Sequence, residues 1–164
     1  MKLYIKQQAF ALGDTYHVYD EYEHELYYVK AEFLTFLRHI HIYDFNNDEL
    51  GVVHSCFSLL PKYEIEIRGE IVGTITKRFT LFDHQFDIDF NGWYCEGDFL
   101  GWDFDIYDRY DHHIAHIAKE LFHFTDHYVL DIDNQEDELY VLMLAIAIDA
   151  YKDSAADAAN SANH

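Results

Sequence analysis

Six times along this chain a Phe closes a β-like run: Phe10, Phe33, Phe57, Phe79, Phe99 and Phe122, spaced 20 to 24 residues apart. Shortly after each, a run alternating between aromatic or aliphatic and polar residues begins, and a polar turn follows. A fixed period of this size in a β-rich chain means one strand pair copied around a closed or stacked sheet. Six units of two strands give about twelve strands, and the spacing leaves no room for crossover helices. An antiparallel meander of that length curls and closes, which also removes its edges.

The runs themselves confirm the period of two that a half-buried strand requires. Lys62-Tyr63-Glu64-Ile65-Glu66-Ile67 carries its apolar residues on one face and its charges on the other. Trp102-Asp103-Phe104-Asp105-Ile106 and Phe86-Asp87-Ile88-Asp89-Phe90 do the same, and His39-Ile40-His41-Ile42 does so less cleanly. Hairpin turns are expected at Glu21–His24, Asn46–Asp48, Arg68–Glu70 and Asp108–His112, where polar residues separate two such runs.

One segment has no alternation. Leu139 to Ile148 is apolar on every side, and a helix of that kind must be buried on every side. Asp133 is the expected cap, Glu136 completes a capping box, and Asp137 and Glu138 favour the positive end of the helix dipole. The apolar stretch is too short to span a bilayer, which takes roughly 20 residues, so no transmembrane segment is expected. A twelve-stranded barrel is wider than side chains alone can fill. A single helix, about 10 Å across, has the thickness to plug it. The expected fold is therefore all-β with one buried helix: a closed antiparallel barrel of about twelve strands around a central hydrophobic C-terminal α-helix. Residues 1–152 form one domain, with the core helix at about 135–152. Residues 153–164 form a polar, disordered tail.

Charge removes several functions. The formal net charge is −20, and no basic run occurs. The long-range field repels phosphate backbones, so no nucleic acid is expected as a partner. Cys56 and Cys95 make no disulfide framework, and Met1 to Lys6 has no apolar signal core, so the expected location is cytoplasmic. Both cysteines then read as small hydrophobes.

The order of these pieces resembles the LURP-one-related branch of the tubby C-terminal-like superfamily. The resemblance rests on Gly13-Asp14-Thr15-Tyr16 with Val18-Tyr19-Asp20, and on Leu60-Pro61-Lys62-Tyr63-Glu64-Ile65. Glu96-Gly97-Asp98-Phe99 running into Asp103 to Asp108, and the closing apolar helix, complete it. It implies a twelve-stranded barrel around a central helix and no enzyme. Better-known relatives are the tubby-like proteins, which bind phosphoinositides, and the phospholipid scramblases.

The candidate chemistry is sparse. Twelve histidines outnumber eleven Lys plus Arg; fully charged, they would leave 31 acids against 23 bases, a net charge of −8. That makes the charge responsive to mild acid, although histidine on a solvated strand face needs no special purpose. His39 with His41, and His112 with His113 and His116, are the metal-ligand candidates. The pair lacks a third ligand in sequence and the cluster straddles a turn, so no metal site is assigned. Asp131, Asp133, Asn134, Glu136 and Asp137 resemble in position the segment proposed to bind calcium in scramblases. They lack the central Gly and closing Glu of an EF-hand, and helix capping accounts for them. The pairs Asp87/Asp89 and Asp103/Asp105 have nothing beside them in sequence to mark a catalytic cleft. No nucleophile motif and no phosphate loop occurs, so no catalytic residue and no cofactor is assigned. The expected role is non-enzymatic: a binding or adaptor module for a protein partner. Phospholipid headgroups, contacted under histidine control by pH, are the alternative ligand, and a ligand-processing enzyme is the remote one.

Overall fold

The computed structural model describes residues 1–6, 15–34, 37–58, 62–77, 86–98, 101–122 and 125–161. Twelve strands follow one another: β1 (Lys2–Lys6), β2 (Thr15–Tyr19), β3 (Glu25–Leu34), β4 (Leu37–Asp44), β5 (Glu49–Cys56) and β6 (Lys62–Ile67). Then come β7 (Glu70–Lys77), β8 (Phe86–Phe90), β9 (Tyr94–Asp98), β10 (Asp103–Tyr107), β11 (His113–Phe122) and β12 (Thr125–Ile132). A 3₁₀ turn, Gln135–Asp137, leads into the single α-helix α1, Glu138–Ser161.

All twelve strands form one antiparallel sheet in the order β8-β7-β6-β5-β4-β3-β2-β1-β12-β11-β10-β9. The chain meanders from β1 to β8, starts again at β9, and closes through the β1–β12 ladder, Leu3 opposite Leu130. The sheet is a nearly closed barrel: its two ends, β8 and β9, are joined by the turn Asn91–Trp93. The expected barrel and helix are both present. All four expected hairpin turns connect the strands assigned to them.

Alternation survives into burial. Tyr63, Ile65 and Ile67 are buried while Lys62, Glu64 and Glu66 face outward. Phe104 and Ile106 point in, Asp103 and Asp105 out. Ile40 and Ile42 point in, His39 and His41 out. The inward set meets α1, whose residues from Val141 to Ile148 are at most 2 % exposed. At roughly 25 cal/mol per Å² of apolar surface removed from water, such burial is the main stabilising term of the fold. The barrel wall makes room for the helix at Gly51 on β5. A Cβ there would lie 2.6 Å from the Glu66 carbonyl oxygen and 2.8 Å from Met143 Cε.

Side chains also tie α1 to the wall. Tyr27 donates to Glu138 Oε1 at 2.9 Å at the start of the helix, and Tyr63 donates to the Ala150 carbonyl at 2.9 Å further along. Lys152 places its ammonium 4.6 Å from the centre of the Trp102 ring, a cation–π contact. The helix continues to Ser161, nine residues past the end expected at Lys152. Ala155, Ala156, Ala158 and Ala159 explain the extension, because alanine has the highest helix propensity.

The start of the helix departs from expectation. Asp133 does not cap it. Its carboxylate accepts from His113 Nδ1 at 2.8 Å, and Asn134 precedes the 3₁₀ turn with no side-chain cap. Position explains this: Asp133 directly follows β12 and its backbone N–H donates to Ile114 at 3.0 Å, so it still belongs to the sheet.

Candidate functional site

Three of the turns at the helix-entry end of the barrel are copies of one device. They join β2 to β3, β4 to β5 and β10 to β11, and each opens on an aspartate: Asp20, Asp44 and Asp108. Each carboxylate accepts the backbone N–H groups two and four residues on, at 2.7 to 3.0 Å. The residue three along has positive φ: Glu23 at 64°, Asn47 at 70° and Asp111 at 64°. Backbone bonds from the aspartate N–H to the carbonyl four residues later close each loop at 2.9 to 3.0 Å. This is a hairpin loop with a bulge, and Asp or Asn chemistry suits it because a short polar side chain satisfies the turn's own backbone. Each copy also lifts one aromatic side chain into solvent: Tyr22, Phe45 and Tyr110, all more than 70 % exposed.

Between the first two turns, the start of β1 and the start of α1 lies an open cavity of about 640 Å³. Five carboxyl groups line it: Asp20, Glu21, Asp44, Asp133 and Glu138. Tyr22 and Phe45 flank it, and Leu26 and Leu50 supply apolar wall. Lys2 is the one basic side chain in the lining, and it is engaged by Asp131 at 3.3 Å.

The carboxyl groups differ in proton affinity. The Asp48 N–H, with help from Asn46, holds Asp44 below the usual carboxylate range. At Asp20, desolvation raises the pKa, but the N–H groups of His24 and Tyr22 outweigh it and the net shift is downward. Glu138 is only 8 % exposed. Burial pushes its pKa up, against the bond from Tyr27, and the Asp20 charge adds to the rise. Burial, reinforced by Glu138, likewise raises the Tyr27 phenol. The mouth therefore holds permanent negative charge at its turns and a carboxyl with raised pKa at its floor.

The histidines named from sequence lie on two other surfaces. On β10–β12, His116 Nδ1 meets Asp105 at 2.8 Å, and His113 bridges Asp133 at 2.8 Å and Asp105 at 3.3 Å. His112 pairs instead with Asp108 of its own turn at 3.0 Å. The cluster is an ion-pair network rather than a set of ligands facing one point. Asp131 meets Lys2 and Asp133 meets His113, so the first two carboxylates of the acidic stretch before the helix are engaged by neighbouring strands. Asp89 is exposed, and the side chain of Asp87 lies outside the described residues.

On β4–β6 the pair His39 and His41 is joined by His54, whose ring stacks on His39 at 5.6 Å. His54 Nε2 lies 3.3 Å from Glu64 Oε2, and Cys56 completes a triad whose ligand atoms all fall within 4.8 Å of one another. Among the described residues this is the one three-residue group with metal-ligand spacing. Sequence reading missed it because His54 and Glu64 are ten residues apart and meet only through the β5–β6 register. Cys95 fits the inert reading: burial pushes its thiol up to about 12.

The domain that carries the mouth and both histidine surfaces also matches a family model, LURP-one-related, over residues 1–149. The chain belongs to the LURP-one-related family. It is 30% identical over 150 residues to the uncharacterized protein YxjI of Bacillus subtilis (strain 168), covering 91% of this chain and 92% of that one. An Arabidopsis thaliana protein solved by X-ray crystallography shares the fold, with a TM-score of 0.57 at 12% identity over 91% of each chain. Among the described residues, no helix is long and apolar enough to cross a membrane.

Proposed function

We propose that this LURP-one-related barrel is a non-enzymatic binding module whose acidic mouth receives a cationic segment of a protein partner. The observation that carries the reading is the cavity itself: about 640 Å³, five carboxyl groups, and two exposed aromatic rings at its rim. Arg and Lys side chains match that lining twice. Carboxylates accept charge-assisted hydrogen bonds from them, and aromatic faces attract the cation. The net charge of −20 steers a basic partner inward over long range.

The alternative, a pH-gated contact with phospholipid headgroups, has less support. His17, His24, His41, His54, His112, His113 and His116 already face carboxylates of the same barrel within 3.3 Å. Protonation strengthens those internal pairs, and the chain stays at −8 even with every histidine charged.

Fluorescence anisotropy with an arginine-rich peptide and a glutamate-rich peptide of equal length tests the proposal. The basic peptide is expected to bind in a salt-sensitive way. Phe45→Ala and Asp44→Asn should each weaken it by about tenfold, the scale of a side chain central to an interface. Equal binding of both peptides, or no change in the two variants, would overturn it. Co-sedimentation with anionic vesicles at pH 5.5, unaffected by those variants, would favour the lipid reading instead.

A further inference from the structure

The β4–β6 triad lies on the outer wall, away from the mouth, and the register explains its assembly. His54 on β5 stands opposite Glu64 on β6, and Cys56 lies two residues along β5 on the same outward face. Cross-strand partners on one face have Cβ atoms roughly 5 Å apart, so three side chains from two strands converge on one point. Their donor atoms are an imidazole nitrogen, a thiol sulfur and a carboxylate oxygen.

Zinc-class ions bind nitrogen, sulfur and oxygen at about 2.0 to 2.3 Å, so tetrahedral ligand atoms sit roughly 3.3 to 3.8 Å apart. The 3.3 Å between His54 Nε2 and Glu64 Oε2 already meets that edge length. The triad is sheltered without being closed, since the side chains of His54 and Glu64 are each 21 % exposed. His39 stacks on His54 and restrains its ring. Lys62 holds Glu64 Oε1 at 2.8 Å, which orients the carboxylate and leaves Oε2 turned toward His54.

We propose that His54, Cys56 and Glu64 form a binding site for a divalent transition-metal ion of the zinc class, with a fourth position left to water. Mixed nitrogen, sulfur and oxygen donors select such an ion over Mg²⁺ or Ca²⁺, which take oxygen alone. Binding forms a metal–sulfur bond and releases the Cys56 proton to solvent. Burial, and then the Glu64 charge, push the Cys56 thiol above its ordinary value. The Lys62 ammonium opposes a second cation nearby, so it sets the affinity below what the three ligands alone would give.

The full chain, stripped with a chelator and titrated with Co²⁺, gives the test. A thiolate-to-cobalt charge-transfer band is expected in the parent and in Cys95→Ser, and is expected to vanish in Cys56→Ser. Zn²⁺ should displace the cobalt one for one. Cys56→Ser and His54→Gln should each weaken Zn²⁺ binding by about 100-fold or more, beyond the usual effect of losing a group behind a ligand. Lys62→Gln should tighten it by about tenfold. Metal-free melting curves of the variants separate lost binding from lost folding. Cobalt binding without a thiolate band, a band that persists in Cys56→Ser, or no binding at all would overturn the site.

Discussion

Histidine stacks on histidine on the β4–β6 face, whereas on the β10–β12 face it alternates with carboxylate. Glu32, His39, His54 and Glu64 form one cross-strand row, with the two imidazoles adjacent at its centre. Asp105, His116, Asp131 and Lys2 form the other, with charges in alternation. One histidine on each face departs from its ordinary proton affinity, and the two depart in opposite directions. Desolvation, then the charges of His54 and His41, hold His39 below the ordinary histidine value. The bond to Asp133 raises His113, which desolvation opposes and Asp105 reinforces. At these two positions the direction of the shift follows the neighbours: burial beside other imidazoles lowers His39, and bonded carboxylates raise His113.

The most severe way to break the comparison is to remove the scaffold beneath both faces. Leu144→Asp places a carboxylate in the all-apolar stretch of α1, where Leu144 is fully buried. It should cost several kcal/mol and abolish folding. A soluble variant with an unchanged melting curve would overturn the threaded helix. Gly51→Ala strikes the wall behind the histidine stack. The added methyl meets the Glu66 carbonyl and Met143, so a loss of about 1–3 kcal/mol in denaturant unfolding is expected.

Asp105→Asn strikes the other face alone, removing the shared acceptor of His113 and His116. Half-exposed pairs are screened, so the expected loss is about 0.5–1 kcal/mol at pH 6 and less at pH 8. A raised histidine stabilises the fold fully below its unfolded pKa, and that contribution fades as pH rises through the folded pKa. His39 has the opposite sign: its contribution is present above the unfolded pKa and is lost as pH falls through the folded one. NMR titration of the metal-free protein should therefore place His39 below His113. Coincident titrations would erase the distinction between the faces.

The fold was legible in the sequence to an unusual depth, because its signals are local. The period of two in Lys62–Ile67, the turn residues at Asp108–His112 and the all-round apolar run from Leu139 each concern neighbours within one element. Volume did the rest: twelve strands need a plug, and one segment suits it. The candidate sites were not legible in the same way. Asp20, Asp44 and Asp108 carry a visible signal, an aspartate followed within two residues by an aromatic in a polar turn. That recurrence was available in the sequence and identifies the turns, but nothing in it says that two of them enclose a cavity with Glu138.

Capping shows the same limit in one residue. Asp133 has the right type and spacing to cap α1, yet His113 on the adjacent strand claims it, because the β11–β12 ladder brings the two together before the helix begins. Sequence by itself determined the strands, their turns, the buried helix and the surplus of negative charge. Only the tertiary structure decided which outward residues meet: His54 with Glu64 and Cys56, His113 with Asp133, five carboxyl groups around one mouth. The physical reason is register. An outward side chain has little preference of its own, and its neighbours are chosen by the hydrogen-bond ladder and by bulges such as that at Ile42/Tyr43, which align strands to satisfy the inward face.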